Sequence, residues 1–179
     1  MAERTLDVTE VYQAHASFVW ASLQRMGVRG PDLDDVMQEV FVVVHQRIHT
    51  FDHSSKLTTW LFGVCLRVAS DYRRRAWRRR EQVGDTPLED RPGHDAATPE
   101  DAALGREARQ RLDAILDELD VEKRAVFVMF EVEELPCDEI AALLGVPVGT
   151  VYSRLHAARK QFEKALARHR SRAEHGGRR

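Results

Sequence analysis

Apolar residues recur along most of this chain at spacings of three and four positions, which is the period of an amphipathic helix. These stripes predict helices at 7–27, 33–50, 59–80, 107–119, 122–132, 138–144 and from 148 past 162. No run of alternating apolar and polar residues indicates a strand. Hydrophobic residues make up 43% of the chain, which is enough to form globular cores. We therefore expect an all-α fold.

A change of composition in the middle of the chain predicts a domain boundary. Residues 81–103 hold three of the six prolines and seven acidic side chains. We therefore expect two small helical domains, at 1–80 and 106–168, joined by a flexible acidic linker over 81–105. The basic segment 169–179 is expected to be a disordered tail.

The segment 138–144 and the helix that follows it are joined by a short turn, an arrangement typical of a helix-turn-helix. Ala141 lets the two helices approach, Gly145 ends the first in the left-handed conformation, and Val151 fills the angle between them. The outer face of the second helix is polar and basic, as major-groove binding requires: Thr150, Tyr152, Ser153, Arg154, His156, Arg159 and Lys160. A helical hairpin buried in a core needs no such face, so we interpret this one as a DNA-binding surface.

Positive charge is concentrated in two blocks, although the whole chain has a net charge of −2. Residues 67–80 hold seven arginines against one aspartate, and residues 154–179 hold nine lysines or arginines against two glutamates. Because phosphate binding depends on the local field, this distribution favours nucleic-acid partners. The first block follows a polar loop at 51–58 and an aromatic stretch around Trp60. This combination suits an unpaired strand whose bases stack while arginines follow its phosphates.

A row of histidines offers an alternative, a helical metalloenzyme. His45, His49 and His53 recur four positions apart beside Asp52, a spacing that can place ligands on one helix face. The residues after Asp52 predict a loop that breaks this row, and no cysteine cluster completes a site. We therefore expect no metal and no cofactor.

The cysteines and the apolar runs bear on redox state and location. Cys65 and Cys137 lie in apolar helical contexts and are interpreted as reduced core residues. The N-terminal segment is polar, and the apolar runs 40–44 and 60–66 are too short to span a bilayer. The sequence predicts a cytoplasmic protein without membrane insertion of its own.

Four motifs occur in a defined order along the chain: DLDDVMQEVF at 32–41, FD followed by TTWLFGV within 51–64, SDYRRR at 70–75, and DEIAALLGVPVGTVYSRLHAARKQF at 138–162. Together they resemble the motifs of extracytoplasmic-function (ECF) sigma factors of bacterial RNA polymerase, over roughly residues 10–166. The resemblance implies a protein without enzymatic chemistry that binds core RNA polymerase, recognises a promoter and helps to melt it.

The resemblance also implies roles for three sets of residues. The first would dock on the β′ clamp of the polymerase: Asp35, Gln38, Glu39 and Val42. The second would capture the melted minus-10 element: Asp52, Ser54, Lys56, Thr59, Trp60, Arg67, Asp71, Arg74 and Arg75. The third, in the helix-turn-helix at 138–160, would read the minus-35 element: Thr150, Tyr152, Ser153, Arg154, His156 and Arg159. The β flap of the polymerase and a separate anti-sigma factor are the further partners that the family implies.

The chain departs from the family pattern at three places. The helix at 138–144 lacks the usual Ser or Thr cap and is preceded by Leu135-Pro136-Cys137 instead, which is tolerable because proline suits a helix start. Arg67 stands where asparagine is common, and His156 with Ala157 stands where an aromatic residue and an arginine are common. We therefore expect different minus-10 pocket chemistry and the loss of one minus-35 base contact. The alternative function is a conventional helix-turn-helix regulator that binds duplex DNA without polymerase. Such a regulator would not need the aromatic loop at 51–60.

Overall fold

The computed structural model describes residues 6–83 and 99–176. Within these two ranges the chain forms seven α-helices and one short 3-10 helix, with no strand. The helices belong to two compact units, Met1–Arg91 and Pro92–Arg179. The all-α class expected from the sequence is therefore confirmed. We call the two parts the N-terminal unit and the C-terminal unit.

The N-terminal unit is a three-helix bundle in which every helix packs against the other two. Its elements are α1 (Val8–Arg25), α2 (Asp32–Arg47), a 3-10 helix (Ile48–Thr50) and α3 (Leu57–Val83). The core comes from apolar stripes at helical spacing, for example Val36, Val40 and Val44 of α2, all at most 2% exposed. Leu23 of α1 and Leu61 of α3 are also fully buried. The hydrophobic period of each helix thus determines the face that it buries.

The C-terminal unit is organised around its last helix. Its elements are α4 (Pro99–Asp117), α5 (Val121–Glu131), α6 (Cys137–Leu144) and α7 (Val148–Gly176). Helix α7 packs against α4, α5 and α6, and its buried stripe contains Val151, Leu155, Ala158 and Ala165. The rings of Phe127 and Phe162 stack between α5 and α7 with their centroids 4.7 Å apart. One long helix therefore serves as the common packing partner for the whole unit.

The ends of the predicted linker are helical. Helix α3 continues to Val83 and α4 begins at Pro99, so helix occupies both ends of the range 81–105. Pro99 suits the first turn of a helix, because the missing N–H of proline has no intrahelical partner there. Residues 84–98, the middle of the predicted linker, lie outside the described residues.

The segment predicted to be a disordered tail is helical over its described part. Helix α7 runs through residue 169 to Gly176. Two contacts hold this extension: Arg168 and His169 both bind the carboxylate of Glu118, the latter at 3.1 Å between Nε2 and Oε1. Because Glu118 lies 50 positions from Arg168 and 51 from His169, the local composition gave no sign of these contacts. Residues 177–179 lie outside the described residues.

The apolar segments of the chain belong to these cores. In the part of the chain that the structure describes, no helix is long and apolar enough to cross a membrane. Cys65 and Cys137 are buried in separate units, and neither forms a disulfide. This agrees with their interpretation as small core residues.

Candidate nucleic-acid interfaces

One face of α3 carries the aromatic and basic side chains expected to meet an unpaired strand. Spacings of seven, four and three residues place Trp60, Arg67, Asp71 and Arg74 on the same side of the helix. Arg67, Asp71 and Arg74 are exposed, whereas Trp60 is half-buried. Arg74 forms an ion pair with Asp71 on this face. The face therefore combines a partly covered indole ring with one acidic and two basic groups along one line.

The loop before α3 is tightly turned and polar. The Asp52 carboxylate accepts hydrogen bonds from the backbone N–H of Ser54 at 3.0 Å and from its hydroxyl at 2.6 Å. These bonds hold the pKa of Asp52 below its ordinary value, so the carboxylate stays charged. The ring of Phe51 lies 4.6 Å from His53 and 5.9 Å from Trp60, measured between centroids. Phe51 thus connects the loop to the start of α3.

Three predicted minus-10 residues lie away from the exposed line of α3. The side chain of Thr59 is buried, and its Oγ1 has no hydrogen-bond partner among the described residues. Lys56 is exposed in the loop immediately before the helix. Arg75 is turned toward α2, where it donates to the carboxylate of Glu39 at 2.6 Å. That contact raises the pKa of Arg75, so its charge is fixed.

The predicted polymerase-binding residues of α2 share one exposed stripe. Asp35, Gln38, Glu39 and Val42 follow one another at spacings of three, one and three, and all four are exposed. Val42 has 55% of its surface in solvent, which is unusual for a large aliphatic side chain on a helix whose opposite face is buried. The stripe therefore offers an apolar centre with acidic neighbours.

The histidine row is interrupted in the way the loop prediction indicates. Helix α2 ends at Arg47, and His49 belongs to the following 3-10 helix. His53 adopts a left-handed φ of 57° in the loop. Across the described residues, no group of three or more His, Cys, Asp or Glu side chains is arranged to hold a metal ion.

The helix-turn-helix consists of α6 and the first half of α7. Gly145 ends α6 with a φ of 64°, and its N–H and that of Val146 bond back to carbonyls of the last turn. Val151 is fully buried between the helices. Pro136 precedes α6 without a side-chain cap, as the sequence indicated. The predicted turn geometry is therefore present.

The outward surface of α7 is more apolar than its sequence suggests. Tyr152 is 58% exposed and Val148, one turn earlier, is 36% exposed. Ser153 and His156 are exposed, while Thr150 is half-buried. The Ser153 hydroxyl donates to the carbonyl of Thr150 at 2.9 Å. An exposed tyrosine ring therefore forms part of this surface.

Both predicted arginine readers of α7 are bound to carboxylates of α5. Arg154 lies 2.5 Å from Glu122, and Arg159 lies 2.6 Å from Glu131, measured between nitrogen and oxygen. The guanidinium of Arg159 also lies 5.1 Å from the ring centroid of Phe130. The sequence did not predict that these glutamates and Phe130 contact the two arginines, because a helical period specifies only the face of its own helix.

The comparisons with known proteins match one family model to each unit. The family model for sigma-70 region 2 matches residues 11–79, and the model for sigma-70 region 4 matches residues 109–162. The first range contains α2 and the exposed line of α3. The second contains the helix-turn-helix and the α5 residues that bind its arginines.

Several curated relatives align with most of this chain. The ECF RNA polymerase sigma factor SigE of Mycolicibacterium smegmatis is 32% identical over 166 residues, which is 90% of this chain and 62% of that protein. The chain thus spans less than two thirds of that relative. The ECF RNA polymerase sigma-E factor of Haemophilus influenzae is 30% identical, and the alignment covers 75% of each chain.

Solved structures support the same fold. A chain from the complex of sigma factor RpoE with the anti-sigma factor NepR of Bartonella quintana matches with a TM-score of 0.71 at 18% identity, covering 89% of this chain and 96% of that one. A chain from the complex of CnrH with the cytosolic domain of CnrY matches with a TM-score of 0.62 at 24% identity, covering 89% and 87%.

The fold and its two surfaces define a transcription initiation factor of the sigma-70 type. The chain belongs to the ECF sigma factors of that family, as the matched regions and the relatives establish.

Proposed function

We propose that this sigma factor divides promoter recognition between its two units while it is bound to core RNA polymerase. The N-terminal unit binds the polymerase and the unpaired minus-10 strand, and the C-terminal unit reads the minus-35 duplex. The observation that carries this proposal is the occurrence in one chain of two different surfaces whose chemistry suits nucleic acid. One is an aromatic and basic line on α3, and the other is a helix-turn-helix.

The minus-10 role rests on the chemistry of α3 and the loop before it. Trp60 offers a partly exposed ring for an unstacked base, and base stacking on an aromatic side chain contributes about 1–3 kcal/mol. Arg67 and Arg74 lie on the same side and supply charge for the phosphates. Asp52 with Ser54 forms a rigid polar turn beside the ring, which suits recognition of a base edge. Thr59 contributes through packing, because its side chain is buried.

The polymerase-binding role rests on the exposed stripe of α2. An exposed aliphatic side chain surrounded by charged groups is typical of a protein–protein contact. Val42 provides the apolar centre, and Asp35, Gln38 and Glu39 provide the polar rim. The Arg75–Glu39 ion pair joins this stripe to α3, so that polymerase binding and strand binding use adjacent surfaces of one rigid bundle.

The minus-35 role rests on α7, where Thr150, Tyr152, Ser153 and His156 occupy the outward part of the helix. Duplex reading needs a rigid helix held at a fixed angle, which the αL turn at Gly145 and the buried Val151 provide. The protein acts in the cytoplasm by binding and has no bond chemistry of its own. A separate anti-sigma factor controls it, by analogy with the complexes of RpoE and NepR and of CnrH and CnrY.

Run-off transcription with core RNA polymerase tests the proposal. A pool of promoter fragments is transcribed with and without the full chain, and initiation at a defined subset that depends on the chain is the expected result. Specific duplex binding by the chain alone, without initiation or co-purification with polymerase, would favour a conventional regulator instead.

A matched pair of variants tests the residue assignment. Arg67→Ala removes an exposed arginine from the α3 line, and Arg47→Ala removes an exposed arginine from the end of α2. Opening of the minus-10 region, measured with 2-aminopurine fluorescence, is expected to fall in the first variant only. Equal opening of the minus-10 region in both variants would exclude a role of Arg67 in strand binding.

A further inference from the structure

The arginines of the recognition helix lie at the edges of its buried stripe. Arg154 stands three residues after Val151 and four before Ala158, both fully buried. Arg159 stands four residues after the buried Leu155 and three before Phe162. Residues at these spacings share a helix face, so both side chains point along the flanks of the contact with α5.

Their partners lie at opposite ends of α5. Glu122 is in its first turn and Glu131 is its last residue, so the two ion pairs hold both ends of α5 against α7. Arg154 has only 23% of its side chain exposed, and Arg159 also lies over the Phe130 ring. To donate two hydrogen bonds to guanine O6 and N7, either arginine would first have to break these contacts. We therefore regard Arg154 and Arg159 as positioning residues for the helix.

The side chains that remain on the outward surface carry no arginine near its centre. Tyr152 and Val148 are one turn apart and are two of the few exposed large apolar residues in the described chain. Lys160 and Lys164 are exposed further along α7. Their ammonium groups supply positive charge but lack the planar guanidinium that can form two parallel hydrogen bonds. An apolar ring with cations further along the same helix fits a major groove in which phosphates line the edges and a thymine methyl projects between them.

We propose that Tyr152 determines minus-35 specificity by packing its ring against the 5-methyl group of a thymine, with Val148 extending the same apolar contact. This inference rests on the proposed function, because it requires α7 to lie in the groove of the minus-35 duplex. It assigns base discrimination to an apolar contact and helix orientation to the two arginines.

Uracil substitution tests this directly, because uracil lacks only the methyl group of thymine and keeps its hydrogen-bonding edge. The full chain is bound to core polymerase, and each thymine of the minus-35 element of a promoter that it recognises is replaced in turn. At one or two positions, uracil is expected to raise the holoenzyme concentration for half-maximal binding about fourfold, as expected for the loss of one buried methyl group.

Variants assign the effect to the ring. In Tyr152→Phe the thymine–uracil difference is expected to persist, and in Tyr152→Ala it is expected to disappear. Tyr12→Ala removes a similarly exposed tyrosine from the N-terminal unit and is expected to leave the difference unchanged. Because Tyr152 is exposed, its replacement does not disturb the core.

Two results would overturn the proposal: equal binding of thymine and uracil at every minus-35 position, or a difference that persists in Tyr152→Ala. A changed guanine preference in Arg159→Gln would also overturn it, since an arginine would then read a base. If the unaltered chain directs no promoter-specific initiation, the proposed function fails as well. Initiation without a uracil effect rejects the Tyr152 proposal alone.

Discussion

The hydroxyl of Tyr72 donates a hydrogen bond of 2.6 Å to the carboxylate of Asp32. Tyr72 lies in the middle of α3, whereas Asp32 is the first residue of α2, so this bond fixes the start of α2 against α3. The negative charge of Asp32 also interacts favourably with the positive N-terminal end of the α2 dipole. One buried tyrosine therefore links two of the proposed functional surfaces.

Replacing Tyr72 with Phe is expected to lower the free energy of unfolding of the N-terminal unit by about 1.5–3 kcal/mol, the usual contribution of a hydrogen bond to a charged group. All three tryptophans, Trp20, Trp60 and Trp77, lie in this unit. Urea unfolding followed by tryptophan fluorescence therefore reports it selectively. Tyr12→Phe removes the hydroxyl of an exposed tyrosine and serves as control. Equal stability of Tyr72→Phe and the unaltered chain would contradict the assigned role.

A buried charge in the C-terminal unit leads to a second prediction. Arg124 has 1% of its side chain exposed and lies 2.8 Å from the carboxylate of Asp117, which is 46% exposed. Asp117→Asn leaves the buried cation without this carboxylate, and we expect it to destabilise the unit by roughly 2–3 kcal/mol. Arg124→Met removes the charge together with its desolvation cost, so we expect a change of less than about 1 kcal/mol.

Urea unfolding followed by far-UV circular dichroism measures this asymmetry, and unchanged tryptophan fluorescence confirms that the N-terminal unit is unaffected. Lys123→Ala is the control, because Lys123 forms a more exposed ion pair with Asp120 on the same helix. A larger loss in Arg124→Met than in Asp117→Asn would contradict the explanation based on desolvation.

Gly149 lies in the first turn of α7, where nothing in the protein requires glycine. A Cβ built there meets no atom within 4 Å, and the backbone has no positive φ. Gly149→Ala is therefore expected to stabilise the helix by up to about 1 kcal/mol. Promoter binding by the holoenzyme is expected to weaken by roughly fivefold, equivalent to about 1 kcal/mol, because the added methyl group faces the proposed DNA surface.

Gly105→Ala is the matched control for this variant. A Cβ at Gly105 of α4 would lie 3.8 Å from Arg109 Nη2, which is an ordinary contact. Gly105→Ala is expected to stabilise the C-terminal unit, as measured by thermal unfolding. Its promoter affinity, measured by electrophoretic mobility shift with core polymerase, is expected to stay unchanged. If Gly149→Ala binds as well as Gly105→Ala, close approach of DNA at Gly149 is excluded.

The extension of α7 is expected to loosen in acid. Burial raises the pKa of Glu118, but hydrogen bonds and positive charge from Arg168 and His169 outweigh this effect and hold it below the ordinary value of 4.5. A carboxyl whose pKa is lowered by folding stabilises the fold above the unfolded value, and that contribution is lost as the pH falls through the folded value. The stabilisation is therefore complete above about pH 4.5 and is lost progressively as the pH falls from there through the lower pKa of the folded state.

Hydrogen exchange of residues 163–176, corrected for intrinsic rates, measures this response between pH 5.5 and pH 3.5. Protection from hydrogen exchange is expected to fall between pH 5.5 and pH 3.5 in the unaltered chain. In Glu118→Gln it is expected to be low at both pH values. Glu163→Gln changes a carboxylate on α7 itself and is the control. An acid response in Glu118→Gln as large as in the unaltered chain would assign the effect to another group.

The sequence by itself determined the helices, the turn at Gly145 and the line from Trp60 to Arg74 on α3. Each of these follows from a local rule, because a repeat of three and four residues specifies a buried face and an αL position favours glycine. The same rules predicted that the outward surface of α7 is polar. They also identified the family through motifs that each lie within a short stretch of the chain.

The tertiary structure, and not the sequence, determines which charged side chains of α7 are bound to carboxylates and which are available to contact DNA. Arg159 binds a glutamate 28 residues away, and Arg168 binds one 50 residues away. A sequence period specifies how residues are arranged around one helix but not which residues of another helix lie opposite. The packing of α5 and α4 against α7 therefore determined that Arg154, Arg159 and Arg168 bind carboxylates while Tyr152 remains exposed.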